Sequence, residues 1–321
     1  MKRVNLLLIS LIVAFSGVSG CRRTSSAVAR NDARKINVVT TIFPAYDFVR
    51  QIAGDMGTGG SRVNLSMLLP PGAESHSFEP TPRDILAIQN SDIFIYTGSN
   101  SEKWVDRILQ SMDTGKMKIY AMMDSVSLVE EEIVEGMEDE GDEEESSYDE
   151  HIWTSPQNAK LIVRAIADLL CKADAANAEF YRENATAYIE ELEQLDAAFA
   201  DVVTGVKRGT IVFADRFPFR YLADAYGLSY YAAFPGCSAE AEPSAATVAF
   251  LINKIKSEKI PVVFHIELSN ERMADTICGE TGAKKLLLHS CHNITKRDFD
   301  SGIGYLELMR GNVVNLREAL D

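Results

Sequence analysis

The chain has 321 residues, 46% of them hydrophobic and 25% charged, which is an ordinary globular composition with enough length for two domains. Its formal net charge is −15 at pH 7. A protein that binds nucleic acid needs the opposite charge, so this functional class is excluded.

The first twenty residues predict export. Lys2 and Arg3 precede an apolar run, 5–18, that is too short to span a bilayer comfortably. The run ends in VSGC, small residues before a cysteine, which resembles a bacterial lipoprotein signal and predicts that Cys21 becomes the lipidated N-terminus. An ordinary secretory signal cut elsewhere is the alternative. The lipid would tether the mature chain to the outer face of the cell membrane, or to the periplasmic side.

Residues 21–35 are polar and unpatterned, which is typical of a flexible spacer. Strands and helices then alternate through a predicted N-terminal lobe, 36–156. Its strands are predicted at 36–43, 63–70, 92–98 and 118–122. The helix between the second and third strands opens with Thr81 as its cap and Pro82 in its first turn. This alternation predicts a parallel sheet covered on both faces.

An acidic insert, 130–150, interrupts the pattern. Thirteen of its 21 residues are Asp or Glu, and none is Lys or Arg. The composition predicts a disordered, solvated segment. A weak electrostatic collector of cations near a cleft is the alternative.

Helix formers dominate the next segment, 157–206, and predict two helices. The first carries an apolar stripe, and the second, longer one, with Asp174 as its candidate cap, is expected to be a rigid strut that joins two lobes. Alternation resumes in a predicted C-terminal lobe, 207–321. Its strands are predicted at 209–215, 228–234, 260–267 and 283–289, and one final helix is predicted from Lys296 to Leu320. The predicted fold is therefore α/β, with two parallel-sheet lobes, a linking helix, and the ligand site in the cleft between the lobes.

The five histidines are the residues of most chemical interest. His76, His151 and His289 follow or close predicted strands or lie before a helix start, where a side chain can face the cleft. His265 lies within a strand and is expected to be structural, whereas His292 fits either role. Imidazoles that converge in an exported cleft suit zinc, or manganese with help from carboxylates.

Four segments resemble the zinc- and manganese-binding proteins of ABC transporters. They are LPPGAESHSFEPTPRDILAIQNSDIFIYTG (69–98), DEHIWTSPQNAKLI (149–162), AEPSAATVAFLINKIKSEKIPVVF (241–264) and GETGAKKLLLH (279–289). The likeness covers nearly all of 36–321. It implies two α/β lobes bridged by a long helix, and metal ligands at His76, His151 and His289.

The resemblance also implies a function. A monomeric, lipid-anchored protein would capture Zn²⁺, with Mn²⁺ as the alternative, and deliver it to a membrane permease with its ATPase. A role in cell adhesion is also attributed to some relatives. No enzymatic activity is expected, because the sequence has neither an HExxH motif nor a nucleophile elbow. A lipid-anchored metallohydrolase and a two-lobed siderophore- or haem-binding protein are the alternatives.

One position departs from the family pattern. In FADRFPFRYLADAYG (213–227), Arg216 stands where the family has its third ligand, and a guanidinium cannot coordinate a metal. Asp215, Glu267 or a water is expected to complete the shell, and Arg216 is expected to turn away or to pair with one of these carboxylates. Pairing among Cys171, Cys237, Cys278 and Cys291 cannot be read from their spacing.

Overall fold

The computed structural model describes residues 35–54, 61–75, 77–137, 148–237 and 243–321, which form eight strands and ten α-helices. Predictions at Cys21, at His76 and within 138–147 lie outside the described residues. None of the described helices combines the length and the apolar character that crossing a bilayer requires.

The N-terminal sheet has four parallel strands in the order β2-β1-β3-β4. They are β1 (Ile36–Thr40), β2 (Val63–Met67), β3 (Ile93–Tyr96) and β4 (Lys118–Ala121). The helices of this lobe are α1 (Phe43–Ala53), α2 (Pro82–Gln89) and α3 (Lys103–Ser111). The predicted cap of α2 is confirmed, because the Thr81 hydroxyl accepts a hydrogen bond from the Asp84 amide and the Asp84 carboxylate accepts one from the Thr81 amide.

Two helices that pack against each other follow, α4 (Pro156–Ala173) and α5 (Ala178–Val203). The chain breaks between them at Asp174, whose carboxylate accepts hydrogen bonds from the Asn177 amide group and the Tyr181 hydroxyl. The 26 residues of α5 make it about 39 Å long. It packs against α1 and α4, and also against the last helix of the chain.

The C-terminal sheet repeats the topology, with parallel strands in the order β6-β5-β7-β8. They are β5 (Thr210–Phe217), β6 (Ser229–Pro235), β7 (Val262–His265) and β8 (Lys284–Leu287). The helices are α6 (Arg220–Tyr226), α7 (Ala245–Glu258), α8 (Arg272–Thr281), α9 (Lys296–Asp300) and α10 (Tyr305–Leu320). The two-lobed parallel α/β fold is thus confirmed.

The prediction of one final helix is wrong in detail. The helix stops at Asp300, and a new one starts at Tyr305. Gly302 between them has φ of +77°, a left-handed conformation that ends a helix. Gly304 then caps α10, with its amide donating to the Glu307 carboxylate.

The two lobes share one apolar core, so residues 35–321 form a single compact unit. A continuous cluster of buried side chains runs from Phe48 on α1 through Trp153 and Phe199 to Phe213 on β5. Burial of large aromatic side chains is the main stabilising contribution in such a core. The lobes are therefore held together by packing as well as by the connecting chain.

The beginning of the acidic insert is ordered against the C-terminal lobe. We call residues 130–137 the acidic strap. Its carboxylates meet C-terminal partners: Glu131 accepts from the Cys237 amide at 2.7 Å, Glu132 pairs with Arg220 at 2.8 Å, and Glu135 lies 3.6 Å from Lys254. The expectation of a solvated, disordered segment is therefore wrong for the strap, because the C-terminal lobe supplies cations and amide donors for its charges.

Candidate metal centre

The two sheets point their carboxyl ends at the same cleft, as parallel sheets do at a ligand site. A cavity of about 330 Å³ lies there. Loops from both lobes line it, including 72–75 after β2, 266–271 after β7, and residues 290, 292 and 293 after β8. The end of β5 adds residues 214–216.

His151 lies in this cavity immediately before a single helical turn, Ile152–Thr154, that leads into α4. Its ring is buried, and Nδ1 lies 3.2 Å from Asp149 Oδ1. The same oxygen accepts the His151 amide at 2.8 Å. Because a carboxylate only accepts, Nδ1 carries the proton and the Nε2 lone pair is directed elsewhere, an arrangement found behind metal-binding histidines.

His292 approaches His151 from the loop after β8. Their ring centroids are 5.2 Å apart, and Trp153 packs edge-on against both rings. The loop is fixed on either side of the ring, because the His292 amide donates to the Ser290 hydroxyl and the Asn293 side chain donates to the Pro70 and Ala73 carbonyls. Residues of the C-terminal lobe are thereby attached to the N-terminal lobe beside the cavity.

Glu150 completes the group. It is 2% exposed, and its Oε2 accepts a short hydrogen bond from the Ser101 hydroxyl of the N-terminal lobe. Ligand atoms of Glu150, His151 and His292 all lie within 4.8 Å of one another. Within the described ranges, this is the group of histidine, cysteine and acidic side chains whose geometry suits a metal ion.

Negative charge dominates the surroundings of His151. Burial lowers the pKa of His151, but the charge and hydrogen bond of Asp149, with the charges of Glu150 and Glu131, outweigh it and raise the pKa. Burial, together with the charge of Glu150, raises the pKa of the neighbouring Glu102 to about 7. A site with this much buried acid favours a cation.

Of the three predicted histidine ligands, the structure brings one into this group, leaves one outside the described residues, and buries the third elsewhere. His151 belongs to the group described above, and His76 lies outside the described residues. His289 is buried two residues past β8, where Nδ1 accepts the Cys291 amide at 3.0 Å. His289 is not part of the group around His151; the imidazole that this loop brings there is His292.

The two auxiliary carboxylates line the cavity but are engaged in holding its walls. Glu267 accepts both the amide and the hydroxyl of Ser290, at 2.7 and 2.6 Å. Asp215 accepts the amides of Arg216 and Ile266, and burial raises its pKa. The described positions of both residues leave their proposed part in the shell untested.

Arg216 pairs with a carboxylate that the sequence did not indicate. Its Nη1 lies 3.2 Å from Glu74 Oε1, across the cleft in the N-terminal lobe. Its amide, rather than its guanidinium, hydrogen-bonds Asp215. The pair joins the rims of the two lobes.

Sequence reasoning missed Glu150 and left His292 undecided. Glu150 was counted as part of a solvated acidic insert, although it lies next to His151. The signal that the sequence offered is the loop SCHN (290–293), in which His292 lies three residues past the end of the predicted strand 283–289. Neither residue can be assigned from spacing, because the two meet only when the lobes pack.

Comparison with known sequences is decisive for the family. The family described as zinc-uptake complex component A, periplasmic (ZnuA), matches residues 38–319. The chain belongs to this family. The likeness expected from the four sequence segments is therefore confirmed, and it extends over both lobes.

Individual relatives of this chain are also zinc-binding proteins. The chain is 35% identical to the zinc-binding lipoprotein AdcA of Streptococcus pneumoniae over all of its own length and 62% of that protein's length. It is 32% identical to the high-affinity zinc uptake system protein ZnuA of Bacillus subtilis, with 97% of this chain and 94% of that protein covered. The solved Zn(II)-bound ZnuA-like domain of S. pneumoniae AdcA matches with a TM-score of 0.74 and 33% identity, over 89% of this chain and 99% of that one.

Proposed function

We propose that the chain is the extracytoplasmic binding component of an ABC importer that captures zinc and delivers it to a membrane permease with its ATPase. The observation that carries the proposal is the buried group of His151, His292 and Glu150 in the cleft between the lobes. Zinc binding by the family relatives supports the same role. A lipid on Cys21 would hold the monomeric protein at the outer face of the cell membrane, or on its periplasmic side.

The donor set favours zinc over manganese. The imidazoles of His151 and His292 fit the nitrogen-rich, four-coordinate shell of zinc, whereas manganese prefers more oxygen ligands. His76 is proposed as a further imidazole, and His289 stays a prediction of the sequence alone. Family membership favours transport over a metallohydrolase or a carrier of haem or siderophores.

The test begins with elemental analysis of the purified full chain, followed by competition between zinc and manganese. We expect zinc to displace manganese, and His151→Ala to weaken zinc binding by at least about 100-fold, as loss of a ligand exceeds the 10- to 100-fold cost of losing a supporting residue. His265→Ala is the matched control, because its ring is bonded to the Ile266 carbonyl within the loop after β7. Manganese that zinc cannot displace, or an unchanged zinc affinity in His151→Ala, would contradict the proposal.

A further inference from the structure

We propose that Glu150 is a direct zinc ligand and that Ser101 is the residue that positions it. This inference rests on the proposed capture of zinc at His151 and His292, and adds an anionic ligand to it.

Geometry is the first argument. Glu150 and His151 are adjacent in the chain, and their side chains converge. A carboxylate oxygen of Glu150, a ring nitrogen of His151 and a ring nitrogen of His292 all lie within 4.8 Å of one another. All three residues are less than 10% exposed, so they meet in the interior and not on a solvated surface. A carboxylate offers about four lone-pair positions, so the hydrogen bond from Ser101 is compatible with coordination.

Charge is the second argument. Glu150 is buried directly beside Asp149, and both acidic residues are at most 2% exposed. Concentrating carboxylates in a low-dielectric interior is costly unless a cation compensates them. The guanidinium that lines the described part of the cavity, Arg216, pairs with Glu74 at the rim. A divalent ion between Glu150 and the two histidines supplies the compensation where the acid is concentrated.

The other acids of the cavity are less suitable. Both oxygens of Glu267 accept hydrogen bonds from Ser290, and both oxygens of Asp215 accept backbone amides. Moving either carboxylate onto a metal would release the loops that form the cavity wall. Glu150 needs no such movement, because its oxygen already lies within the group.

The position of Ser101 explains how Glu150 is held. Ser101 lies in a single helical turn, Asn100–Glu102, at the start of α3 in the N-terminal lobe. The next residue, Glu102, fixes this turn by accepting the amides of Thr97 and Gly98 at 2.7 and 3.1 Å. The hydroxyl therefore reaches Glu150 from a well-anchored support, as residues behind metal ligands commonly do.

Three substitutions in the full chain test the inference. Glu150→Gln keeps the shape and removes the charge, and we expect zinc affinity, measured by competition with a chelator, to fall by about 100-fold or more. Ser101→Ala is expected to lower the affinity by about 10-fold through loss of positioning. Glu271→Gln is the matched control, because Glu271 lines the same cavity but pairs with Lys285 at 2.7 Å, and it is expected to change the affinity little.

Coordination is read separately by X-ray absorption at the zinc edge and by the visible spectrum of the Co²⁺-substituted protein. Glu150→Gln should change both, whereas Ser101→Ala should leave the number and type of ligands unchanged. Zinc bound by Glu150→Gln with wild-type affinity, or with an unaltered ligand shell at lower affinity, would overturn the inference while leaving zinc capture intact. A folded wild-type chain that binds no zinc would instead overturn the proposed function.

Discussion

At the scale of single residues, the protonation of a buried acid beside the site is coupled to folding. Glu102 is buried beside Glu150, and burial raises its pKa to about 7 from an ordinary value of 4.5. Between these two pH values the folded chain holds a proton on Glu102 that the unfolded chain has lost. The free energy of unfolding must therefore fall as pH rises through this window.

Glu102→Gln should remove this pH dependence. The wild-type chain, freed of metal, is expected to lose about 3 kcal/mol of its free energy of unfolding between pH 4.5 and 7.5 relative to the variant. The amide oxygen of glutamine still accepts the Thr97 and Gly98 amides, so the turn is kept. Denaturant unfolding at several pH values measures the difference. Parallel pH profiles for the two proteins would contradict it.

The same scale shows where sequence reasoning stops. His151 lies in the cavity, where its position before a helix start led us to expect it, and its part as a metal ligand stays a prediction. Glu150 and His292 are 142 positions apart, and they meet because the loop after β8 approaches the segment before the Ile152–Thr154 turn. The partner of Arg216 was likewise hidden, since Glu74 belongs to the other lobe.

At the scale of elements, the acidic strap depends on one glycine. Gly136 has φ of +95°, and a Cβ there would lie 2.1 Å from the Phe250 ring on α7. Both the backbone conformation and the contact therefore demand glycine. The strap's attachment to the C-terminal lobe is thus sensitive to a single methyl group.

Gly136→Ala should detach the strap. We expect a cost of about 3 kcal/mol, from backbone strain and overpacking together. Hydrogen exchange of the Cys237 amide, which donates to Glu131, should then accelerate markedly. Gly205→Ala is the matched control, because Gly205 also has a positive φ, +72°, but has no atom within 4 Å of the added Cβ. Equal protection of the Cys237 amide in both variants would show that Gly136 does not hold the strap.

Elements were predicted well wherever periodicity is local. All eight strands and the cap of α2 follow from apolar runs and turn residues that neighbours in sequence determine. The strap failed as a prediction because its order comes from Arg220, Lys254 and Phe250, which lie on another lobe. The break before α10 failed because a helical pattern continues on both sides of Gly302.

At the scale of the whole molecule, the shared core makes the lobes one folding unit. Both tryptophans, Trp104 and Trp153, belong to the N-terminal half, whereas Phe213 lies on β5 of the C-terminal sheet. Trp153 and Phe213 are in the same buried cluster. A substitution on β5 should therefore shift the unfolding transition that tryptophan fluorescence reports from the N-terminal lobe.

Phe213→Ala should lower the free energy of unfolding by about 3–5 kcal/mol through the cavity it leaves. Tryptophan fluorescence and circular dichroism are expected to report one common transition, shifted by the same amount. Val314→Ala, at a position 65% exposed, is the control and should shift neither. A fluorescence midpoint that does not move in Phe213→Ala would mean that the lobes unfold independently.

The hydrogen bonds of Asn293 connect the interior of the cleft to a surface loop. Its side chain is 2% exposed and joins the loop of His292 to the carbonyls of Pro70 and Ala73. Pro70 and Gly72 are exposed at the molecular surface, so a displacement of His292 is passed by one buried amide to atoms that another protein can touch. The position of loop 70–74 should therefore depend on whether the cleft holds a ligand, and a second protein could detect that state by contact with the loop alone.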